Sequence, residues 1–295
     1  MNKAFSTHLT RVQIRSIFNT KKFGERTTCP NCNYKHEFWK LNDQRWQCTR
    51  CDKKFGILTD TALAHTRFSL PEIYELLHWF ELELTDNKVA DRLNVSYHRV
   101  HHFFMTVRKA IQDYEEASIT LLDGIVEVDE TYCGAEFQNR RKKERERLRK
   151  QGKVRRGRGA NELQQAVFGI YERADGIVYV EPVDDVSKPT LQDIIRGKVS
   201  IETTICSDTF GSYNGLDEEF EDHQTINHDE DEYRDGDAYI NGIEGFWAYA
   251  KERLLRYHGV SPDNFLSYLK EIEFRFNHRD LDSDGFVDKL LEVLL

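Results

Sequence analysis

This sequence of 295 residues contains no apolar stretch long enough to span a bilayer, so a helical membrane protein is not expected. Its first residues, MNKAFSTHLTRVQIRSIFN, are charged and amphipathic and lack the apolar centre of a secretory signal. A soluble, intracellular protein is expected. Internal repeats are absent as well. Positive charge is scarce overall, with a formal net charge of −9, and taken whole that balance speaks against a nucleic-acid partner. The charge is very unevenly spread, however. Residues 140–158 hold twelve Lys and Arg against two Glu, whereas residues 159–295 hold twelve against thirty Asp and Glu. Exposed charges are screened beyond about 8 Å at physiological salt, so local density decides whether a face attracts phosphate.

The chain has 18 Phe, 13 Tyr and 4 Trp with a hydrophobic fraction of 39%, enough for a sizeable core in one large domain or two modest ones. Helical spacing recurs through the first third: Leu9, Val12, Ile17 and Phe18 within residues 6–18, then Ile73, Leu76, Leu77, Phe80 and Leu84 after Ser69 and Pro71. A short helix from Asp86 carries Val89, Ala90 and Leu93. After a turn at residues 93–96, a longer one carries Val100, Phe103, Phe104 and Val107. Those residues sit at i, i+3, i+4 and i+7. From about residue 116 the texture changes to strands at 124–132, 165–173, 177–183 and 203–207. The Asp175-Gly176 pair marks a hairpin between the second and third. Helices are expected near 190–195, 241–257, 262–276 and 284–295, giving an α/β second half.

Six cysteines fall into two kinds. Cys29, Cys32, Cys48 and Cys51 form two C-x2-C knuckles fifteen residues apart, the spacing that places four thiolates tetrahedrally around one structural Zn²⁺. Cys133 and Cys206 stand alone in apolar runs and read as small buried hydrophobes.

Residues 86–109 read as a helix-turn-helix whose second helix leaves Tyr97, His98, Arg99, His101, His102 and Arg108 off its apolar stripe, available for a major groove or its phosphates. The run RRKKERERLRKQGKVRRGR lacks apolar periodicity and reads as a solvated cationic loop. Its Arg155, Arg156 and Arg158 are candidates for retaining a polyanion.

Three acids stand out: Asp129 in GIVEVDETY, Asp208 in TTICSDTFGSY and Glu244 in NGIEGFW. The first two end apolar strands, where a carboxylate is badly desolvated unless a cation compensates it. Hard oxygen donors of this kind suit Mg²⁺ or Mn²⁺, and a pair of such ions can drive in-line displacement at phosphorus. Glu127, two residues before Asp129 on the same strand face, is the rival ligand. Asp184, Asp185 and Asp193 read as loop or exposed-helix acids. Glu244 has a second explanation: with Asn241 as N-cap it would be the third helical residue and complete a capping box.

The motifs VDETYCG, SDTFGSY, NHDEDEY, NGIEGFW and FRFNHR resemble those of DDE transposases of the Merlin type and their bacterial insertion-sequence relatives. The segment from Cys48 through FGILTDTALAHTRFSL is similar to their zinc ribbon and its exit. The chain departs from the family pattern at Tyr239, where His is frequent, and at Ala135, where a second Gly follows the first. The resemblance implies a leading helix (1–26), a zinc ribbon (27–68) and a helix-turn-helix region (69–116). It then implies an RNase H-like mixed-sheet catalytic domain (117–280) carrying the basic loop 140–158, and a C-terminal helix (281–295). Asp129, Asp208 and Glu244 match the catalytic triad, which implies two Mg²⁺ or Mn²⁺ ions, and Asn241 matches the polar residue ahead of the last acid. In that fold Asp129 sits on the central first strand and Asp208 at the end of the fourth. Glu244 projects from a helix against the sheet. The activity implied is binding of transposon ends followed by metal-dependent cleavage and strand transfer. The partners are duplex DNA, both terminal inverted repeats and target, and further copies of the chain. The compartment is the cytoplasm with its nucleoid in a prokaryote, or the nucleus in a eukaryote. The alternatives are a DNA-binding regulator that has lost catalysis and a nuclease that cuts without joining.

Overall fold

A computed structural model describes residues 9–24, 26–118, 121–134, 142–150, 164–226, 239–257 and 259–295. The chain divides into two compact units, residues 1–114 with 278–295, and residues 115–277.

The first unit begins with α1 (Arg11–Phe23). Its start is set by a capping box: the Gln13 backbone N–H donates to Thr10 Oγ1 at 3.3 Å and Gln13 Oε1 accepts from the Thr10 N–H at 2.8 Å. That shifts the helix downstream of the expected 6–18 and buries Ile14 and Phe18, while Val12 is exposed. Three short antiparallel strands follow, β1 (Phe38–Lys40), β2 (Trp46–Cys48) and β3 (Lys54–Phe55). Around them lie Phe23, Tyr34, Phe38, Trp46 and Phe55, packed against the cysteines.

Next come α2 (Leu70–Glu81), α3 (Asp86–Leu93) and α4 (Tyr97–Ala117). Glu72 accepts from both the backbone and the hydroxyl of Ser69 at 2.7 Å, capping α2. Asn94, in the left-handed conformation at φ 53°, ends α3, and the Val95 N–H bonds back to Ala90. Asn tolerates that conformation at little cost, so the turn falls where the sequence places it. Arg108, expected off the apolar stripe of α4, is instead buried, its guanidinium 5.4 Å from the Phe80 ring. Its long stem lets it join the core face. The C-terminal α9 (Ser283–Leu294) is capped by Asp282 and buries Phe286, Val287, Leu290, Leu291 and Leu294.

The second unit is built on a five-stranded sheet. Its strands are β4 (Ile125–Cys133), β5 (Gln165–Glu172), β6 (Ile177–Val183), β7 (Thr204–Asp208) and β8 (Asp222–Ile226). Their order is β6-β5-β4-β7-β8. The β4–β5 and β5–β6 pairs are antiparallel, while β4–β7 and β7–β8 are parallel. This is a mixed sheet with β4 central, the arrangement expected of an RNase H-like domain. Four of the five strands were expected. β8 was not, because DHQTI is polar and lies at the sheet edge with no fully buried residue.

Alternation along β4 sends Val126 and Val128 to one face, where they meet Leu191 and Ile195 of α6 (Lys188–Lys198). The other face packs against α7 (Asn241–Arg256) and α8 (Pro262–Asn277) through Val167, Val180, Cys206, Ile243, Phe246, Trp247, Leu269 and Ile272. Glu127 and Asp129 therefore face α7. Within the basic run, residues 142–150 form α5 (Lys142–Lys150) rather than a loop. Lys, Arg and Glu are strong helix formers even without an apolar stripe. Among the described residues no helix is long and apolar enough to cross a membrane.

Candidate functional site

In the first unit the two knuckles are built alike. Cys29 N–H donates to Tyr34 O at 2.9 Å and Asn33 N–H to Cys29 O at 2.9 Å. Cys48 N–H donates to Lys53 O and Asp52 N–H to Cys48 O, both at 3.0 Å. Each knuckle closes through a residue at positive φ, Asn33 at 54° and Asp52 at 57°, the residue types that accept this conformation most readily after glycine. The result brings Cys29 and Cys51, and Cys32 and Cys48, to 3.6 Å between sulfurs. All four sulfurs lie within 4.8 Å of one another. Four converging thiols with no disulfide suit one tetrahedral metal ion. Cys133 and Cys206 are buried in the other unit's core and join no such group.

Of the α4 residues expected to face DNA, Tyr97, His98 and His102 are exposed. Arg99 and His101 are committed elsewhere. The Arg99 guanidinium lies 4.1 Å from the Phe68 ring centroid and donates to Arg67 O at 2.6 Å. His101 Nδ1 is 2.7 Å from Asp86 Oδ2, and its ring stacks on Tyr97. Arg155, Arg156 and Arg158 lie outside the described residues, as does the acidic run 227–233.

In the second unit the parallel register carries the two aspartates together. Glu127 pairs with Cys206 across β4–β7, and continuing that register by two residues sets Asp129 level with Asp208 on the α7 face. Asp129 is half-buried, and its Oδ2 accepts from Trp247 Nε1 at 3.0 Å. Burial, reinforced by the neighbouring charges of Glu130 and Asp208, pushes its carboxyl up to about 7. Asp208 Oδ1 accepts from the Phe210 N–H at 2.9 Å, fixing the turn that follows the strand. Glu244 is exposed on the first turns of α7. Among the described residues only the four cysteines form a group of three or more candidate ligands all within 4.8 Å. The structure thus places Asp129 and Asp208 on neighbouring strands, near enough for their charges to interact, and leaves Glu244 on α7, not closed onto them.

Two alternatives weighed for these acids do not hold. Asn241 is not the N-cap of α7: Ile240 occupies that position without a side-chain cap, and Glu244 N–H bonds to Ile240 O at 3.1 Å as an ordinary helical residue. The cap comes from across the sheet, where Glu127 Oε2 accepts the Ile243 N–H at 2.9 Å. Its other oxygen accepts from Arg173 Nε at 2.8 Å. Glu127 is fully buried with both oxygens engaged, so the rival ligand is occupied by the scaffold.

Sequence reasoning gave no site role to Glu130, Tyr213, Gly169 or Arg173, and read Trp247 only as part of the apolar stripe of α7. Glu130 points to the face opposite Asp129, yet its Oε2 accepts from Tyr213 Oη at 2.6 Å, and burial raises its carboxyl. Gly169 pairs with Asp129 across β4–β5. A Cβ there would lie 2.6 Å from the Trp247 ring, so this glycine makes the slot that lets the indole reach Asp129. The readable signal was the alternation of FGIY opposite VDETY, which places a side-chain-free position directly beside the acid.

A family model described as the ISXO2-like transposase domain matches residues 121–277. The chain is 27% identical over 235 residues to a Halobacterium salinarum protein named "Uncharacterized protein in transposable element ISH50", covering 79% of this chain and 78% of that one. It is 41% identical over 114 residues to an "Uncharacterized transposase-like protein" of Haemophilus influenzae, covering 39% of this chain and 92% of that one. Solved structures similar to it include the BIV integrase catalytic core, at 10% identity and a TM-score of 0.32 over 54% of this chain and 86% of that one. The HTLV-2 integrase catalytic core in complex with magnesium aligns at 11% identity and a TM-score of 0.32 over 57% and 94%.

Proposed function

The chain belongs to the ISXO2-like transposase family, and from that premise we propose that it binds the ends of a DNA element, cuts them, and joins them to target DNA. The observation that carries this reading is the Asp129–Asp208 pair. One carboxylate sits mid-strand on β4 and the other at the end of the adjacent parallel β7, the first raised to about 7 by burial and like charge. Such a pair is electrostatically incomplete, and its hard oxygen donors fit Mg²⁺ or Mn²⁺. Asp129 keeps Oδ1 for a cation while Trp247 holds Oδ2. Asp208 contributes the neighbouring oxygen, and Glu244 completes the set from α7. When bound, two such ions would supply Lewis-acid activation of the attacking hydroxyl and charge stabilisation of the leaving oxygen. The chain's own task is to hold three carboxylates in register and to position the DNA strand, without a covalent enzyme intermediate.

In the same reading, Cys29, Cys32, Cys48 and Cys51 hold one structural Zn²⁺ that folds the ribbon. The ribbon with Tyr97, His98 and His102 of α4 contacts the terminal repeats, and Arg155, Arg156 and Arg158 contact phosphates. Several copies assemble on the DNA.

The test is incubation of purified protein with a duplex bearing a candidate element end, a target plasmid, and Mg²⁺ or Mn²⁺. Cleavage and joined product are expected. Asp129→Asn, Asp208→Asn and Glu244→Gln should each lower cleavage by orders of magnitude, with the double variant little worse because ligands of one site act as a unit. Cleavage by Asp208→Asn at the wild-type rate would refute the assignment. Cleavage without joining would identify a nuclease.

A further inference from the structure

We propose that α7 is tied to β4 at two points bracketing Glu244, and that Glu127, Arg173, Gly169 and Trp247 are positioning residues that set where the third carboxylate meets the first two. This rests on the proposed metal-dependent reaction. The first tie is Glu127. Fully buried, it accepts the Ile243 N–H at 2.9 Å, one residue before Glu244. Arg173 holds the other oxygen at 2.8 Å, lies 3.6 Å from the Tyr239 ring centroid and donates to the Tyr239 carbonyl. The same guanidinium therefore grips both the strand and the residue leading into α7. Gly242 permits the approach, since a Cβ there would lie 2.9 Å from Glu127 Oε2. The second tie is Trp247 Nε1 on Asp129 Oδ2, with the indole seated over Gly169.

The two anchors, Glu127 and Asp129, are two residues apart on one strand face, and their partners, residues 243 and 247, are about one helical turn apart. Together they fix how far α7 slides along β4 and how it is rotated. Glu244 leaves the helix between them. A helix held at one point could still pivot and carry Glu244 away from the aspartates, whereas one held at two cannot. Trp247 also fixes the rotation of the Asp129 carboxylate, leaving its second oxygen for a cation. Partners of this kind, one step behind the ligands, commonly contribute 10–100-fold to metal affinity or activity.

Two isosteric variants test the proposal. Glu127→Gln keeps an acceptor for the Ile243 N–H but turns an amide against Arg173; Trp247→Phe keeps most of the ring and removes the N–H. Ala250→Gly, buried on the same helix, loosens α7 without touching either tie. Each protein is titrated with Mn²⁺, reading both the metal-induced rise in melting temperature and the half-saturating concentration for cleavage. Glu127→Gln and Trp247→Phe should raise that concentration about tenfold, and Ala250→Gly should leave it unchanged. Values within twofold of wild type in both tie variants, or an equal change in Ala250→Gly, would overturn the proposal. Amide exchange reads the tie independently of metal: Glu127→Ala should speed exchange of Ile243 about tenfold and leave α8 unaltered, and unaltered exchange at Ile243 would also overturn it. Absence of any Asp208-dependent Mn²⁺ response in the wild type would instead refute the proposed function and leave the exchange result to judge the ties.

Discussion

Two glycines three positions apart in α7 should respond to the same substitution with opposite signs. Both lie in NGIEGFW, flanking Glu244, and both become better helix formers as alanine, by about 0.5–1 kcal/mol in a helix interior. At Gly245 nothing lies within 4 Å of an added Cβ, so Gly245→Ala should realise that gain. At Gly242 the added Cβ would sit 2.3 and 2.4 Å from the Tyr171 ring and 2.9 Å from Glu127 Oε2. Neither neighbour can move freely. Tyr171 packs edge-on against Phe276, with ring centroids 6.3 Å apart, and Glu127 is held by Arg173 and Ile243. Overpacking of this kind costs about 1–3 kcal/mol. A Cβ at 2.3 Å puts the cost toward the upper end, about 2–3 kcal/mol, so after the helical gain is subtracted Gly242→Ala should lose about 1–2 kcal/mol. For a unit of this size roughly 2–4 °C of melting temperature accompanies each kcal/mol. Gly245→Ala should therefore melt about 1–4 °C above wild type and Gly242→Ala about 2–8 °C below it, measured by calorimetry or circular dichroism. If both variants rise together, the first turn of α7 does not lie against Tyr171 and Glu127, and the cap drawn from β4 is wrong.

Other predictions concern the first unit. Zinc analysis should find one ion per chain in wild type, lost in Cys48→Ser and kept in Cys206→Ser; equal loss in both would refute the ribbon assignment. Arg99→Ala should destabilise the protein by about 1–2 kcal/mol through loss of the Phe68 and Arg67 contacts, so a variant with unchanged melting temperature and weaker DNA binding would return Arg99 to base reading. His78 is buried, and burial lowers its pKa from 6.5 despite the nearby Asp284 and Glu81 charges. The unfolded chain then takes up the proton first as pH falls, so the stability His78 contributes is intact above about 6.5 and is lost on acidification below it. Wild type should lose more melting temperature than His78→Gln between about pH 7.5 and about pH 5.5, and equal losses would refute this.

Much of this architecture could be read directly because local chemistry and tertiary position agree. The knuckles CPNCN and CTRCD contain both the thiols and the Asn or Asp that turns each loop. Asn94 ends α3 at the expected turn, and the Asp175-Gly176 hairpin falls between β5 and β6. What escaped reading depends on partners distant in sequence. β8 gains its strand character from pairing with β7 and not from its own polar residues. The register of α1 followed a Thr10–Gln13 cap, not the apolar spacing. Arg99 and His101 looked available on a helical wheel, but Phe68 and Asp86, remote in sequence, occupy them. Glu244 fitted a capping box equally well on paper, but α7 starts one residue earlier, after Ile240, and its cap is the contact from Glu127 to the Ile243 N–H, 116 residues apart.

The contrast between Glu127 and Asp129 shows how one strand face can hold both a structural acid and a candidate ligand. Both alternate toward α7, and both lie among Val, Ile and Trp side chains. A buried carboxylate is tolerable when the scaffold neutralises it. Glu127 meets that condition with a guanidinium on one oxygen and a helix N-terminal N–H on the other, a donor favoured by the helix dipole. Asp129 does not. It receives only neutral donors, the Trp247 indole N–H and the Glu130 backbone N–H, and feels the charges of Asp208 and of Glu130 on the opposite face. Among the described residues its recorded donors are neutral, so Asp129, unlike Glu127, is the acid that a bound cation would suit. Sequence alone could not rank the two, because EVDE offers alternating acids with identical local context. The ranking comes from residues 173, 243 and 247, which the fold delivers to one acid as charge and to the other only as orientation.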